Sequence, residues 1–213
     1  VTIIKQLKQN NRNSFIGVDY MPESVCEQIL EFCDTHSEHF EQIDTEMKQC
    51  RQISLNTDTP ELSDYIAQLN SMISEYLNYW SPGEQHRIMT VFNIQSYAPG
   101  EGFIHWHHER GTTEGKTGDR SLVFMTYLNS VPDGPTHFKH QQLRVEAETG
   151  KTIIWPADFT HTHCGEVSDT EHKHIVTGWI TCGGSASKQK ADVKLAAPED
   201  ILTKAMDFIQ ENT

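Results

Sequence analysis

Three short stretches carry side chains that could hold a metal or an anion: HWHHE (His105 to Glu109), THTHCG (Thr160 to Gly165) and KHIVTGWIT (Lys173 to Thr181). Alternate residues of a strand share a face, which would turn His105, His107 and Glu109 the same way. Neighbours in such a row have Cα atoms ~6.5 Å apart, so two side chains can converge on one cation. Two neutral imidazoles and one carboxylate on one face of an octahedron make a non-haem iron(II) site, with the remaining positions open for a co-substrate and oxygen. The local His-x-Glu pair would supply two ligands and a distant strand the third. His161 and His163 are both candidates, and periodicity does not choose between them. Zinc accepts the same donors. An isolated His-x-Glu is also met at solvated strand ends, and it is the second histidine pair that weighs against that here.

Lys173 is in phase with Ile175, Thr177 and Trp179, while the alternate row of His174, Val176, Gly178 and Ile180 is also largely apolar. The lysine is therefore either turned inward or placed at the strand entry with its head in water. A buried lysine needs a partner. A dicarboxylate would supply one, with an attraction of about 4 kcal/mol at ~4 Å and intermediate dielectric, before desolvation is subtracted.

The elements that must position these groups are short strands. From Arg87 to Cys182 the pattern predicts Ile88–Tyr97, Ile104–Glu109, Ser121–Asn129, Gln142–Ala147, Thr152–Trp155 and His174–Thr181, with turns at Ala98-Pro99-Gly100, Pro132-Asp133-Gly134-Pro135 and Thr149-Gly150. Many short strands with no helix-length pattern between them indicate a sandwich or jelly roll rather than βαβ units. Before Arg87 the chain reads as mostly helical. One helix starts at Met21-Pro22-Glu23-Ser24. A second runs from Thr59-Pro60 to Trp80 on an apolar stripe that includes Leu62, Tyr65, Leu69, Met72, Ile73 and Tyr76. Gly111–Asp119 reads as a mobile loop, Gly183–Lys190 as a linker and Pro198–Gln210 as a terminal helix.

With 213 residues, 36% apolar and 22% charged, the chain suits one globular domain. No stretch approaches the roughly 20 apolar residues of a membrane span, and the first residues hold no apolar run of signal-peptide length. A net charge of −13 repels nucleic-acid phosphates and anionic lipid, so a peptide or small-molecule partner is expected and neither nucleic acid nor membrane. Five cysteines without CxxC spacing point away from a disulfide scaffold or zinc ribbon and toward a reducing, cytoplasmic setting. Oligomeric state is not legible.

Taken together these residues resemble the iron(II)- and 2-oxoglutarate-dependent oxygenase superfamily, specifically its prolyl 4-hydroxylase-like branch, over roughly Arg87 to Cys182. In SYAPGEGFIHWHHE, Tyr97, Gly100, Phe103, His107 and Glu109 follow the family's order. Tyr127-Leu128-Asn129 and Thr136-His137-Phe138 resemble its next motif. Counted from His163, the family's glycine, basic residue and tryptophan fall on Gly165, Lys173 and Trp179. Counted from His161, the basic position falls on Glu171, so the resemblance selects His163. It implies an α+β protein with a double-stranded β-helix (jelly-roll, cupin-like) core. Residues 1–182 would form one oxygenase domain, with helical support in 1–86 and the β core in 87–182; 183–213 would be a linker and C-terminal helix.

The resemblance also implies catalytic metal ligands His107, Glu109 and His163. Lys173, helped by Tyr127, would bind the far carboxylate of 2-oxoglutarate, and Tyr97 the keto-acid end. Arg120 would contact substrate, and Gly111–Asp119 would cover it. The implied cofactors are Fe(II), 2-oxoglutarate and O2, with ascorbate as an accessory. The implied reaction hydroxylates an unactivated C–H bond, in first place of a prolyl residue, and releases succinate and CO2. Glu109 departs from the Asp of most members by one methylene, ~1.5 Å of reach, and the preceding turn is a residue longer. His105, His108 and His161 read as packing neighbours. Two other readings share the residues: a zinc-dependent hydrolase or lyase on a cupin-like barrel, and a non-catalytic metal-binding cupin module.

Overall fold

The computed structural model describes residues 5–6, 14–80, 82, 85–112 and 117–182. All of them belong to one compact unit, Val1–Cys182. The expected linker at Gly183–Lys190 and helix at Pro198–Gln210 lie outside the described residues, as does the middle of Gly111–Asp119. In chain order the elements are β1 (Lys5–Gln6), β2 (Gly17–Tyr20), α1 (Glu23–Thr35), β3 (Glu41–Asp44), β4 (Gln49–Asn56), α2 (Ser63–Trp80) and β5 (His86–Tyr97). They continue with β6 (Arg120–Tyr127), β7 (Val131–Phe138), β8 (Leu143–Ala147), β9 (Lys151–Pro156), β10 (His163–Gly165) and β11 (Lys173–Cys182). Among the described residues no helix is long and apolar enough to cross a membrane.

Eight strands form one antiparallel sheet in the order β1-β2-β9-β6-β11-β5-β4-β3, and β10-β7-β8 form a second. Strand alternation sorts the large sheet's residues between two layers. Phe92, Ile94, Leu122, Phe124 and Val176 face α1 and α2, where they meet Val25, Ile29, Tyr65, Leu69 and Met72. The opposite row, including Tyr97, Val123, Tyr127, Ile153 and Ile175, packs toward Val131, Phe138 and Val145 of the small sheet. Two facing antiparallel sheets backed by helices make this the expected α+β double-stranded β-helix. Gly178 is set against Phe124 so closely that a Cβ would lie 2.5 Å from the ring, so only a hydrogen fits.

The N-terminal part is not helical alone: beside the two expected helices it supplies β1 to β4, which join the large sheet. β4 escaped detection because its inner row is polar, Gln52 lining a cavity and Ser54 bonded to the cavity residue Asn93, while Ile53 and Leu55 pack on the helices. Ile104–Glu109 is no continuous strand. It makes a single isolated bridge, His107 to His163, with another from Lys48 to Phe103 just before it, and His105 is exposed instead of sharing a face with His107 and Glu109. Pro132–Pro135 is not a turn between strands but an irregular stretch inside β7, where pairing with β8 jumps from Val131 to Thr136. Gly134 suits that bulge, since a Cβ there would strike Val131 at 2.7 Å and crowd the Lys173 stem at 3.2 Å. The other expected strands are present with ends within two residues of those read from the pattern. The Thr149-Gly150 turn is present as well, its glycine at φ +78.

Candidate active site

The cavity lies on the inner face of the large sheet, and strand register dictates its chemistry. One cross-strand row runs Gln52–Gln95–Ile175–Tyr127 and the next Ser54–Asn93–Thr177–Met125. The β4–β5 half is therefore lined by amides, and the half toward β6 and β9 by Met125, Tyr127 and Trp155. Lys173 sits opposite Tyr97 at the end of this face.

His107, Glu109 and His163 come together at the cavity, their possible ligand atoms all within 4.8 Å of one another. Reciprocal backbone bonds between His107 and His163, at 3.0 and 2.9 Å, bring the two histidines together across the small sheet's edge. His107 Nε2 lies 3.5 Å and His163 Nε2 3.7 Å from Glu109 Oε1. The Nδ1 atoms face carbonyls, His105 O at 2.8 Å and His161 O at 2.9 Å. A carbonyl only accepts, so each Nδ1 carries a proton, the tautomer in which Nε2 of an imidazole is left to bind a cation. Burial, with His107 adding to it, pushes His163 down to about 4, which keeps that ring neutral at physiological pH. Burial alone would raise the Glu109 carboxyl, but His107, His163 and Arg120 outweigh it and hold it well below the usual carboxylate range. Two lone pairs and an anionic oxygen facing one another repel unless a cation sits between them, and an N2O donor set matches the two-histidine, one-carboxylate iron(II) pattern. The residues fit that ion.

The second Glu109 oxygen is already engaged. Trp179 Nε1 donates to Oε2 at 2.9 Å and Arg120 Nη1 at 3.2 Å. Arg120 also donates to the Glu109 carbonyl at 3.0 Å and stacks 3.6 Å over the Trp179 ring. With Oε2 held, Oε1 is the oxygen presented to the histidines. Arg120 thus stands behind the carboxylate.

Lys173 is buried, and its Nζ donates to Glu166 O at 2.9 Å and Gly134 O at 3.3 Å. Desolvation pushes this ammonium down to about 8, with Asp133 and Glu166 opposing. Tyr127 donates to Thr136 Oγ1 at 2.6 Å, Tyr97 to Gln95 Oε1 at 2.5 Å, and the Tyr97 ring centroid lies 5.3 Å from Lys173 Nζ. Burial raises both phenols, so both remain neutral donors. His107, Glu109, His163, Lys173, Tyr127 and Tyr97, which the resemblance implies as metal and co-substrate ligands, all line this one cavity. His105 and His108 are exposed, and His161 turns away to Ser14 O at 2.8 Å. Lys48, Gln52, Asn93, Gln95 and Trp155 also line it and went unnoticed in the sequence. The alternation of Gln52, Ser54 with Ile53, Leu55 was the available signal.

Residues 92–181 match the family model of the 2OG-Fe(II) oxygenase superfamily. No curated protein matches the chain. Among solved structures, a Pseudomonas putida prolyl-4-hydroxylase is similar at TM-score 0.64 and 12% identity, covering 81% of this chain and 95% of that one. The viral collagen prolyl hydroxylase of Paramecium Bursaria Chlorella virus-1, in its 2OG complex, is similar at 0.64 and 14%, covering 79% and 96%. A Trichoplax adhaerens prolyl hydroxylase, in complex with a hypoxia inducible factor peptide fragment, is similar at 0.63 and 13%, covering 79% and 84%. At these identities the likeness is one of fold. The family match spans most of the cavity-bearing strands and supports a 2-oxoglutarate-dependent dioxygenase, and the chain has the fold of the prolyl 4-hydroxylases.

Proposed function

We propose that His107, Glu109 and His163 ligate iron(II), that Lys173 with Tyr127 anchors the distal carboxylate of 2-oxoglutarate with Tyr97 toward its keto-acid end, and that the reaction hydroxylates a C–H bond, in first place of a prolyl residue in a peptide. The observation that carries the reading is the convergence of two imidazole Nε2 atoms on one carboxylate oxygen in a cavity that also holds a buried ammonium with no carboxylate of the described residues within ion-pair distance. When bound, iron(II), 2-oxoglutarate and O2 supply the oxidation: one oxygen atom enters the C–H bond and the other the co-substrate, which leaves as succinate and CO2.

The protein's part is positional. The carbonyls of His105 and His161 fix both imidazole tautomers, and Trp179 and Arg120 fix the carboxylate. Lys173 neutralises an anion where water is scarce, and Met125, Trp155 and Ile175 keep the site dry. The prolyl assignment draws on the shared fold and on the peptide held by the Trichoplax neighbour. All five cysteines are free thiols, which suits a reducing compartment such as the cytoplasm, and ascorbate is the accessory reductant for assay.

Anaerobic addition of 2-oxoglutarate to the iron(II) protein tests the site, because chelation gives a visible charge-transfer band. No band from folded, iron-loaded protein would overturn the assignment. Mass-spectrometric screening of proline-containing peptides for a gain of one oxygen tests the substrate. Glu109→Ala must abolish the gain, and equal modification by both proteins would assign it elsewhere.

A further inference from the structure

Tyr97 apart, the β4–β5 side of the cavity has no task in ligating iron or 2-oxoglutarate, yet it is chemically one-sided. Its three amide oxygens are all occupied. Gln52 Oε1 accepts from Lys48 Nζ at 2.9 Å and from Gln95 Nε2 at 2.8 Å. Gln95 Oε1 accepts from Tyr97, and Asn93 Oδ1 from Ser54 Oγ at 2.8 Å. With every amide oxygen already accepting, what this wall chiefly offers a ligand is N–H. The Asn93 NH2 has no partner among the described residues, and the Lys48 ammonium has no carboxylate within ion-pair distance among them.

The position of Lys48 ties this wall to the metal ligands. Its backbone bridges to Phe103. The Phe103 ring lies flat on His107, centroids 3.6 Å apart and planes 7° apart, and Lys48 Nζ is 5.8 Å from the Phe103 centroid. End to end those distances put the ammonium within about 9.4 Å of the His107 ring. A group held by Lys48 could thus belong to the same small molecule, or to the next residue of the same peptide, as a carbon presented at the metal. In a chain of net charge −13, a cavity lined by two lysines with no carboxylate of the described residues within ion-pair distance is an anion site twice over. Lys173 is taken by the co-substrate.

We propose that Lys48 and Asn93 form the subsite for a carboxylate of the substrate, so that the hydroxylated molecule is an acid: a free small acid, or a peptide with an acidic side chain beside its target residue. This rests on the oxygenase reading. Gln52 and Gln95 act as positioning residues, tying Lys48 through hydrogen bonds to Tyr97.

The test is saturation-transfer NMR on protein loaded with zinc(II), which is redox-inert, and 2-oxoglutarate. N-acetyl-proline against N-acetyl-prolinamide probes the free acid. Acetyl-Pro-Glu-amide against acetyl-Pro-Gln-amide, and acetyl-Glu-Pro-amide against acetyl-Gln-Pro-amide, probe an acidic neighbour. In at least one pair the anionic member should bind about tenfold more tightly, as a charge-assisted hydrogen bond requires. Lys48→Met should erase the preference and Lys48→Glu invert it, and the pair that responds identifies the source of the carboxylate. Equal or absent binding in all three pairs, a preference that survives Lys48→Met, or one that follows Lys173→Met instead would overturn the proposal. Failure of 2-oxoglutarate itself to show transfer would defeat the oxygenase reading separately.

Discussion

At the residue scale the site works by leaving each group one free direction. Trp179 and Arg120 occupy Oε2 of Glu109, and backbone carbonyls occupy Nδ1 of both histidines, so the remaining atoms can only point inward. Trp179→Phe keeps the ring and removes the N–H. It should weaken iron affinity roughly tenfold, the lower end of what lost outer partners cost, as measured by chelator competition. Lys173 gives a pH signature. Its pKa of about 8 in the free protein rises when a carboxylate arrives. Below that pH the ammonium is already present and 2-oxoglutarate affinity is flat; above it, binding must take up a proton, and affinity falls by up to tenfold per pH unit. Lys173→Met should give weak binding with no such slope. A wild-type profile flat from pH 7 to 9.5 would contradict the assignment.

At the scale of elements, β11 delivers Lys173 and Trp179 on one face while Gly178 lets the other approach Phe92 and Phe124. Gly178→Ala forces a methyl group into that contact and should cost roughly 1–3 kcal/mol, seen as a melting temperature lower by about 2–4 °C per kcal/mol. Leu69→Ala, which opens a cavity under α2, should cost about 2–5 kcal/mol, read by urea denaturation. These elements also mark where the sequence could be read. Strands with one apolar face, such as β5, β6 and β11, announced themselves, and so did the stripe of α2. β4 did not, because its inner face is polar to suit a cavity, and polar alternation reads as a loop. The Pro132–Pro135 run misled for the opposite reason: turn-forming residues serve as a bulge once β8 and β10 flank them. Glu109's two donors were illegible, because Trp179 and Arg120 meet it only through sheet register.

At the scale of the whole molecule the charge total and the cavity pull in opposite directions. A net −13 disfavours the approach of an acid from a distance, whereas Lys48 would attract it at contact. Screening lengths shrink from ~30 Å at 0.01 M salt to ~8 Å at 0.15 M, which removes the distant repulsion before the near attraction. Turnover of an anionic probe, measured as kcat/KM, should therefore rise over that range and then level off, while its neutral partner stays flat. A monotonic fall for the anionic probe would show that the acidic surface does not govern its encounter.

The last of the described strands along the chain is not at the rim of the sheet: β11 sits between β6 and β5. During synthesis from the N-terminus, both neighbours must wait with bare edges until it arrives. A nascent chain that has emerged only as far as Glu171 already owns both histidines and Glu109, but lacks Trp179, which holds the carboxylate, and Lys173, the proposed anchor of the co-substrate. Closure of the sheet thus waits for β11, and chains that stall before it are the ones exposed to edge-to-edge aggregation.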